Sequence, residues 1–251
     1  MVVYSWNING YHTCNKYGGL SKIIEEQPDF ICLQEVKIGE PSCLNNLFTF
    51  SYEHYYNFSS DKGHNGVYIY SKYKAINCCK NIGFSRFDKE GRFICLEFNR
   101  YFLINVYMPH GGRDKTNLEY KLEAYYRIIE YLKLLEKKEI IIVGDFNVAY
   151  SELDVERYKN NANNIMFTKQ ERDLFFELLK LGYIDVFRQK KPLAREYTWW
   201  PYAFDARERN VGWRIDYCLT TPDIFNKIEK MEILNEILGS DHCPIRVQIK
   251  M

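Results

Sequence analysis

Asp241, His242 and Cys243 stand side by side in the stretch GSDHCP near the end of the sequence. Each residue type can bind a metal or move a proton. Neighbours in an extended segment point to opposite faces, so these three do not converge on one ion. Zinc sites also space their ligands more widely. The more informative pattern is that similar residues recur where short apolar runs end. Run 2–6 leads into Asn7 (SWNING), and run 30–33 leads into Gln34 and Glu35 (LQEVK). Run 102–106 leads to Tyr107 and on to His110, and run 140–143 leads through Gly144 to Asp145 and Asn147 (GDFN). Asp216 lies within the run 215–219. Any one of these could be a strand cap or turn former. Asp216 alone reads equally well as a strand carboxylate paired with Arg214. Together they point to one crevice, because strand ends are where ligands bind in α/β architectures.

The chemistry open to such a set is narrow. Carboxylates and amides without a thiolate or paired-His pattern suit a hard cation such as Mg2+ or Mn2+. A hard cation beside one His and several Asp and Asn residues suits phosphodiester hydrolysis, with a base to activate water. The sequence contains no Gly-rich phosphate loop and no GxSxG elbow, which argues against kinase, P-loop and serine-hydrolase chemistry.

The elements that must position these residues are strands of four to six residues with helices between some of them. Residues 118–135 carry apolar side chains at 118, 122, 125, 126, 129, 132 and 135, the spacing of an amphipathic helix. Residues 168–181 open with Thr168 and Glu171 in a capping box and end at Gly182. A shorter helix over 19–27 is stopped by Pro28. The runs 93–98 and 102–106 read as a hairpin across Asn99-Arg100. Strands and helices therefore mix without strict βαβ alternation, which favours mixed or antiparallel sheets covered by helices. Stretches 155–166 and 201–212 read as loops. No repeat or linker divides the chain, so 1–251 is expected to be one domain.

A hydrophobic fraction of 46% over 251 residues is enough for a sizeable core. The formal net charge of +1 gives no long-range pull on a polyanion, so nucleic-acid contact would need local basic patches. Eight cysteines fall at irregular spacings without a CxxC pair, as expected of reduced, buried thiols. The opening Met-Val-Val-Tyr lacks the basic and long apolar regions of a signal peptide, and no apolar run has membrane-spanning length. The expected location is the cytoplasm of a prokaryote, without membrane contact.

The strings SWNING, LQEVK, NVYMP, GDFNVA, FTKQER, YTWW, NVGWRIDY and GSDHCPI occur in this order across nearly the whole chain. Together they resemble the exonuclease III / apurinic-apyrimidinic (AP) endonuclease family of the endonuclease–exonuclease–phosphatase superfamily. NVGWRIDY and LGSDHCPI are similar to the branch that includes the animal AP endonuclease. The resemblance implies a four-layered α/β sandwich of two mixed sheets flanked by helices. It implies a monomeric, Mg2+-dependent enzyme of base-excision repair, with Mn2+ as a substitute. Its substrate would be duplex DNA with an abasic site, cut on the 5′ side to leave a 3′-OH. A 3′-phosphodiesterase activity and some 3′–5′ exonuclease activity would accompany this.

The same resemblance assigns roles. Glu35 and Asn7 match metal-site residues, and Asp241 matches a second or alternative metal position. Asp145 matches the residue that activates water or shuttles a proton. Asn147 and Tyr107 match contacts to the scissile phosphate. Asp216 matches the carboxylate that orients His242. Trp199 and Trp213 match the pocket for a flipped-out abasic sugar. Arg113, Lys115, Asn161 and Asn164 match DNA-contacting loops. His110 is a departure, standing where many relatives carry Asn or Gln. A phosphoesterase acting on phosphoinositides, sphingomyelin or undamaged DNA is the competing enzyme class, and YTWW and NVGWRIDY argue against it. A silent DNA-binding module would lack Glu35, Asp145, Asp216 or His242, and all four are present.

Overall fold

Strand β8 (Glu139–Asp145) shows how the sequence builds the layers. Ile141 and Val143 point into one core, and Ile140 and Ile142 point into another. This two-residue alternation is what a sheet with both faces covered requires. Each fully buried aliphatic side chain of this kind contributes about 1.5–3 kcal/mol. In this computed structural model, residues 1–40, 44, 52–135 and 139–250 are described.

Two six-stranded sheets form. The first contains β1 (Val2–Asn7), β2 (Phe30–Gln34), β3 (Glu53–Asn57), β4 (Val67–Ser71), β11 (Ile228–Ile233) and β12 (Ile245–Ile249), in the order β11-β12-β1-β2-β4-β3. The second contains β5 (Asn77–Cys79), β6 (Phe93–Glu97), β7 (Tyr101–Tyr107), β8, β9 (Ile184–Asp185) and β10 (Asp216–Thr220), in the order β5-β6-β7-β8-β10-β9. Both are mixed: β1 runs parallel to β2 and β7 parallel to β8, and the other pairs are antiparallel. The β6–β7 pair is the expected hairpin.

The central core joins Val3, Phe30, Ile69 and Val247 of the first sheet to Leu96, Leu103, Ile141 and Cys218 of the second. Helices Tyr11–Lys16 and Gly19–Glu25 cover the outer face of the first sheet through Tyr11, Cys14, Leu20 and Ile23. Helices Leu118–Leu134 and Lys169–Lys180 cover the outer face of the second through Tyr125, Ile128, Phe175 and Leu178. The result is the four-layered sandwich. No described helix is long and apolar enough to cross a membrane.

Helix Lys169–Lys180 has the expected capping box, with Thr168 and Glu171 bonded reciprocally, and Gly182 follows it at φ 99°. The buried stripe of helix Leu118–Leu134 differs from the apolar spacing in its sequence. Tyr126 is 50% exposed, while Lys121 is fully buried because Glu171 neutralises it. Apolar spacing alone cannot register a buried ion pair. The described cysteines are all free, and Cys14, Cys32, Cys95, Cys218 and Cys243 are buried; Cys43 lies outside the described residues.

The parallel pairs place the C-terminal ends of β1, β2, β7 and β8 along one edge of the sandwich. Strand β10 runs the other way, so its first residue, Asp216, arrives at the same edge opposite Asp145. A polar clasp links the sheets there. Gln34 Nε2 donates to Asn105 Oδ1 at 2.7 Å, and Asn105 Nδ2 donates to the carbonyls of Leu33 and Tyr68 at 3.0 and 3.1 Å.

Candidate active site

His242 enters the edge on the segment that precedes β12. Its Nδ1 lies 2.9 Å from Asp216 Oδ2. A carboxylate only accepts, so Nδ1 carries the proton and Nε2 faces the cavity. Burial alone would lower the pKa of this imidazole, but the charge and hydrogen bond of Asp216, with Asp145 and Asp241 nearby, raise it to about 10. Asp216 is itself held by its backbone: Thr198 Oγ1 accepts from the N–H groups of Ile215 and Asp216, both at 3.1 Å. Sequence reasoning missed Thr198, although it sits inside YTWW. Bridges from Trp199 to Trp213 and to His242 tie that segment to both neighbours.

Arg214 does not pair with Asp216. Its Nε lies 2.7 Å from Asp154 Oδ1, and its Nη atoms reach Asp185 at 3.1 and 2.7 Å. The fork of Arg214 is taken up by Asp154 and Asp185, which leaves Asp216 to the histidine.

Asp145 faces His242 from β8, with its Oδ2 3.9 Å from Nε2. Its Oδ1 accepts from the Asn147 backbone N–H at 2.8 Å, and its Oδ2 accepts from Asn7 Nδ2 at 2.8 Å and Asn147 Nδ2 at 3.2 Å. Burial and the nearby charge of Asp216 push its pKa well above the usual carboxylate range. Asn147 adopts φ 51° and donates from Nδ2 to the Met108 carbonyl at 2.8 Å.

Glu35 follows β2 at φ 55°, and its carbonyl accepts from the Gly10 N–H at 2.8 Å, tying LQEVK to SWNING. Its carboxylate lies 3.2 Å from Lys37 Nζ, and burial together with the Glu35 charge raises the pKa of the Tyr107 hydroxyl. Arg92, a second residue the sequence reading missed, stacks its guanidinium 4.5 Å from the Tyr107 ring centre. Asp241 accepts from Asn9 Nδ2 at 2.9 Å and from Trp199 Nε1 at 3.0 Å. Cys243 turns away, with its Sγ 3.7 Å from the Tyr197 carbonyl. The triplet is therefore not one cluster: Asp241 and His242 reach the same cavity and Cys243 does not.

Asn7, Glu35, Tyr107, Asp145, Asn147, Asp241 and His242 line one cavity of about 210 Å³. It adjoins a groove of about 630 Å³ that His110, Arg113, Lys115, Asn164, Trp199 and Trp213 line. His110, Met166, Trp199 and Asp241 belong to both. His110 is exposed on the groove wall, and crowding by its neighbours together with the Lys121 charge lowers its pKa. Trp213 is only 8% exposed and packs on Phe167 and Ile215, so it is a core residue that presents one edge to the groove. Asn161 does not line the groove. Its amide caps its own loop, donating to the Glu156 and Arg157 carbonyls at 3.1 and 3.2 Å and accepting from Asn164 at 2.7 Å.

The donor set fits a divalent cation. Asn7, Glu35, Asp145 and Asp241 bring oxygens to the small cavity, and among the described residues no thiol lines it. Asp216 Oδ1 is buried with no hydrogen-bond partner. Ligand atoms of Asp145, Asp216 and His242 lie within 4.8 Å of one another. An oxygen-rich set of this kind suits a hard cation. A protonated His242 repels a cation, which leaves the oxygens as the binding atoms.

The chain is similar to known nucleases in sequence and in fold. The chain is 38% identical to the exodeoxyribonuclease of Bacillus subtilis (strain 168), over the whole length of both. It is 36% identical to the DNA repair nuclease APEX1 of Danio rerio, covering 98% of this chain and 81% of that one. The solved structure of an AP endonuclease from Archaeoglobus fulgidus superposes with a TM-score of 0.89 at 26% identity, over all of both chains. The family match covers residues 4–242, from β1 to the histidine at the centre of the cavity. The chain belongs to the Endonuclease/Exonuclease/phosphatase family.

Proposed function

We propose that the protein is a Mg2+-dependent AP endonuclease of base-excision repair, acting as one domain over 1–251. It hydrolyses the phosphodiester 5′ to an abasic site in duplex DNA and leaves a 3′-OH, with accompanying 3′-phosphodiesterase and 3′–5′ exonuclease activity. The observation that carries this reading is the pairing of His242 with Asp216 and Asp145 beside a groove lined by Arg113, Lys115, Trp199 and Trp213. A full-length relative named as an exodeoxyribonuclease and another named as a DNA repair nuclease support the same chemistry.

Each residue then has a role that its surroundings support. Asp145, held at both oxygens and raised toward neutrality, takes the proton from the attacking water. His242, kept cationic by Asp216, donates from Nε2 to a non-bridging phosphoryl oxygen. Asn147 and Tyr107 hold the scissile phosphate. Glu35, Asn7 and Asp241 would hold Mg2+, or Mn2+ in its place, and the bound ion supplies charge stabilisation at the phosphate. Arg113, Lys115, His110 and Asn164 contact the DNA from the groove, and Asn161 supports them by ordering its loop. Trp199 and Trp213 take the sugar that lacks a base. Extrusion is cheapest where the base is already missing, so the site selects damage without reading sequence.

We read the enzyme as a monomer, as the family resemblance implies, and as cytoplasmic. The deciding experiment is incubation with a duplex carrying one synthetic abasic site, in Mg2+ and in EDTA. Incision 5′ to the site only in Mg2+ is expected. Cleavage in both conditions, or in neither, would overturn the reading.

A further inference from the structure

Lys121 and Glu171 form a fully buried ion pair that the chemistry above does not use. Lys121 stands on helix Leu118–Leu134 and Glu171 on helix Lys169–Lys180. Lys121 Nζ also donates to the Asn147 carbonyl at 2.6 Å. Glu171 accepts from the Met166 N–H at 3.0 Å, the Thr168 N–H at 2.9 Å and the Thr168 hydroxyl at 2.7 Å. Asn147 lines the small cavity, and Met166 lines both the cavity and the groove. Both adopt left-handed backbone, with φ 51° and 70°. Non-glycine residues stay in that region only when their surroundings over-determine it.

Stability does not account for the pair. A buried ion pair is seldom better than two apolar side chains of the same size, because both charges must leave water. What it supplies is direction, since its donors and acceptors converge on two turn residues of the site. The chain of contacts continues inward. Asn147 donates to Oδ1 of Asp145 from its backbone and to Oδ2 from its side chain.

We propose that Lys121 and Glu171 are positioning residues, a buried ionic clamp that fixes the Asn147 turn and through it the aim of Asn147 and Asp145 at the phosphate. This rests on the nuclease reading above. The clamp touches neither substrate nor metal, so it should act on turnover and spare DNA binding. It also explains why a helix otherwise packed through apolar residues buries a lysine at full depth.

Lys121→Met alone leaves a buried, unpaired carboxylate, so the informative variant is Lys121→Met with Glu171→Gln, which removes both charges at similar volume. Three quantities are read: melting temperature, Kd for abasic duplex in EDTA, and kcat in Mg2+. The folded double variant is expected to keep Kd within about twofold. Its kcat should fall on the order of 10²-fold, the cost of misplacing a reacting group by about 1 Å. Adding Asn147→Ala to that background should lower kcat no further than Asn147→Ala does alone, because the two act through one turn.

A folded double variant with wild-type kcat, or losses that multiply in the triple variant, overturns the clamp. If the double variant does not fold, Lys121→Arg and Glu171→Asp carry the same test. They keep the charges but shift the contact, and wild-type kcat in both overturns the proposal. Wild-type protein that fails to cleave overturns the nuclease reading instead, so the two failures are distinguishable.

Discussion

Asp145 and Asp216 are direct cross-strand partners on β8 and β10, and both carboxylates are buried at the same edge of the sandwich. Two like charges opposite each other in a low dielectric are unfavourable unless a cation or a proton intervenes. His242 intervenes, 2.9 Å from Asp216 and 3.9 Å from Asp145. The shorter contact fixes the ring and keeps it charged. The longer one leaves Asp145 close enough to feel the imidazolium but open to another partner. One sheet register therefore gives two carboxylates different surroundings, which the proposed mechanism uses as orienter and proton acceptor.

The first prediction follows from that division. Asp145→Asn keeps the shape and removes the proposed proton acceptor, and His242→Ala removes the proposed donor to the phosphate. Each should lower kcat by about 10²–10⁴-fold, the usual share of a positioned acid or base. Kd for abasic duplex, measured in EDTA, should change little, because neither side chain lines the larger groove. Single-turnover incision and binding on the same preparations check this. Near-wild-type rates would remove these residues from the mechanism.

A second prediction concerns pH and the metal-free protein. The folded-state pKa of His242 is raised to about 10, above its ordinary 6.5. A cationic group raised in this way adds stability that is fully present below pH 6.5 and is lost as pH rises toward 10. Asp145 is also raised, but as a carboxyl it acts in a lower window, upward from its ordinary 3.8. The difference in unfolding free energy between wild type and His242→Gln, taken in EDTA, should therefore shrink steadily from pH 6.5 to 9.5. Asp216→Asn should flatten that slope, because it removes the group that holds the proton on the ring. A difference that is constant or grows with pH would contradict the assignment.

Much of this site was readable from strand ends. Asn7, Glu35, Tyr107 and Asp145 end or follow apolar runs, and parallel pairing brings them to one edge. The hairpin and the capping box were legible for the same reason, since their signals are local. What the sequence hid depends on pairing between distant segments. Arg214 is two residues from Asp216, yet its partners are Asp154 and Asp185. Thr198, Arg92 and Lys121 act through contacts 15 or more residues away, and no periodicity marks them. Asn161 and Asn164 look equivalent in the Asn-rich stretch, but only Asn164 faces the groove.

Trp199 and Trp213 meet at 6.5 Å with ring planes 77° apart, yet they should fail differently when replaced. Trp213 is buried among Phe167, Val155 and Ile215, so Trp213→Ala should cost about 3–5 kcal/mol of stability along with abasic-site selectivity. Trp199 is half-buried and donates to Asp241, so Trp199→Phe should leave stability within about 1 kcal/mol. Trp199→Phe also releases Asp241 from one of its donors, and its main effect should be on metal affinity, read as Mn2+ binding by titration calorimetry. Denaturant melts and the ratio of Kd for abasic to intact duplex complete the comparison. Equal stability loss in both variants would refute this division.

Arg214 and Asp216 are near neighbours in sequence with separable effects, and this gives the last prediction. Arg214 is buried between Asp154 and Asp185 and stacks 4.4 Å from the Tyr217 ring. Burial alone would raise the pKa of Asp154, but Arg214 and Arg188 lower it to about 2. Arg214→Met leaves these buried acids short of a cation, which should cost about 3–5 kcal/mol. The acid limb should move as well. A depressed carboxyl adds stability above pH 3.8 that is lost as pH falls toward 2, and Arg214→Met should shift that loss to higher pH. The cleavage rate per folded molecule, taken well below the melting temperature, should stay within a few-fold of wild type. Asp216→Asn should do the reverse, with kcat collapsing because the histidine ring is freed, and with no shift of the acid limb because the Arg214 network stays intact; its stability loss is the lost His242 pairing alone. Melts from pH 2 to 7 and single-turnover rates on the two variants test both halves. A normal rate in Asp216→Asn would show that His242 needs no orienting partner.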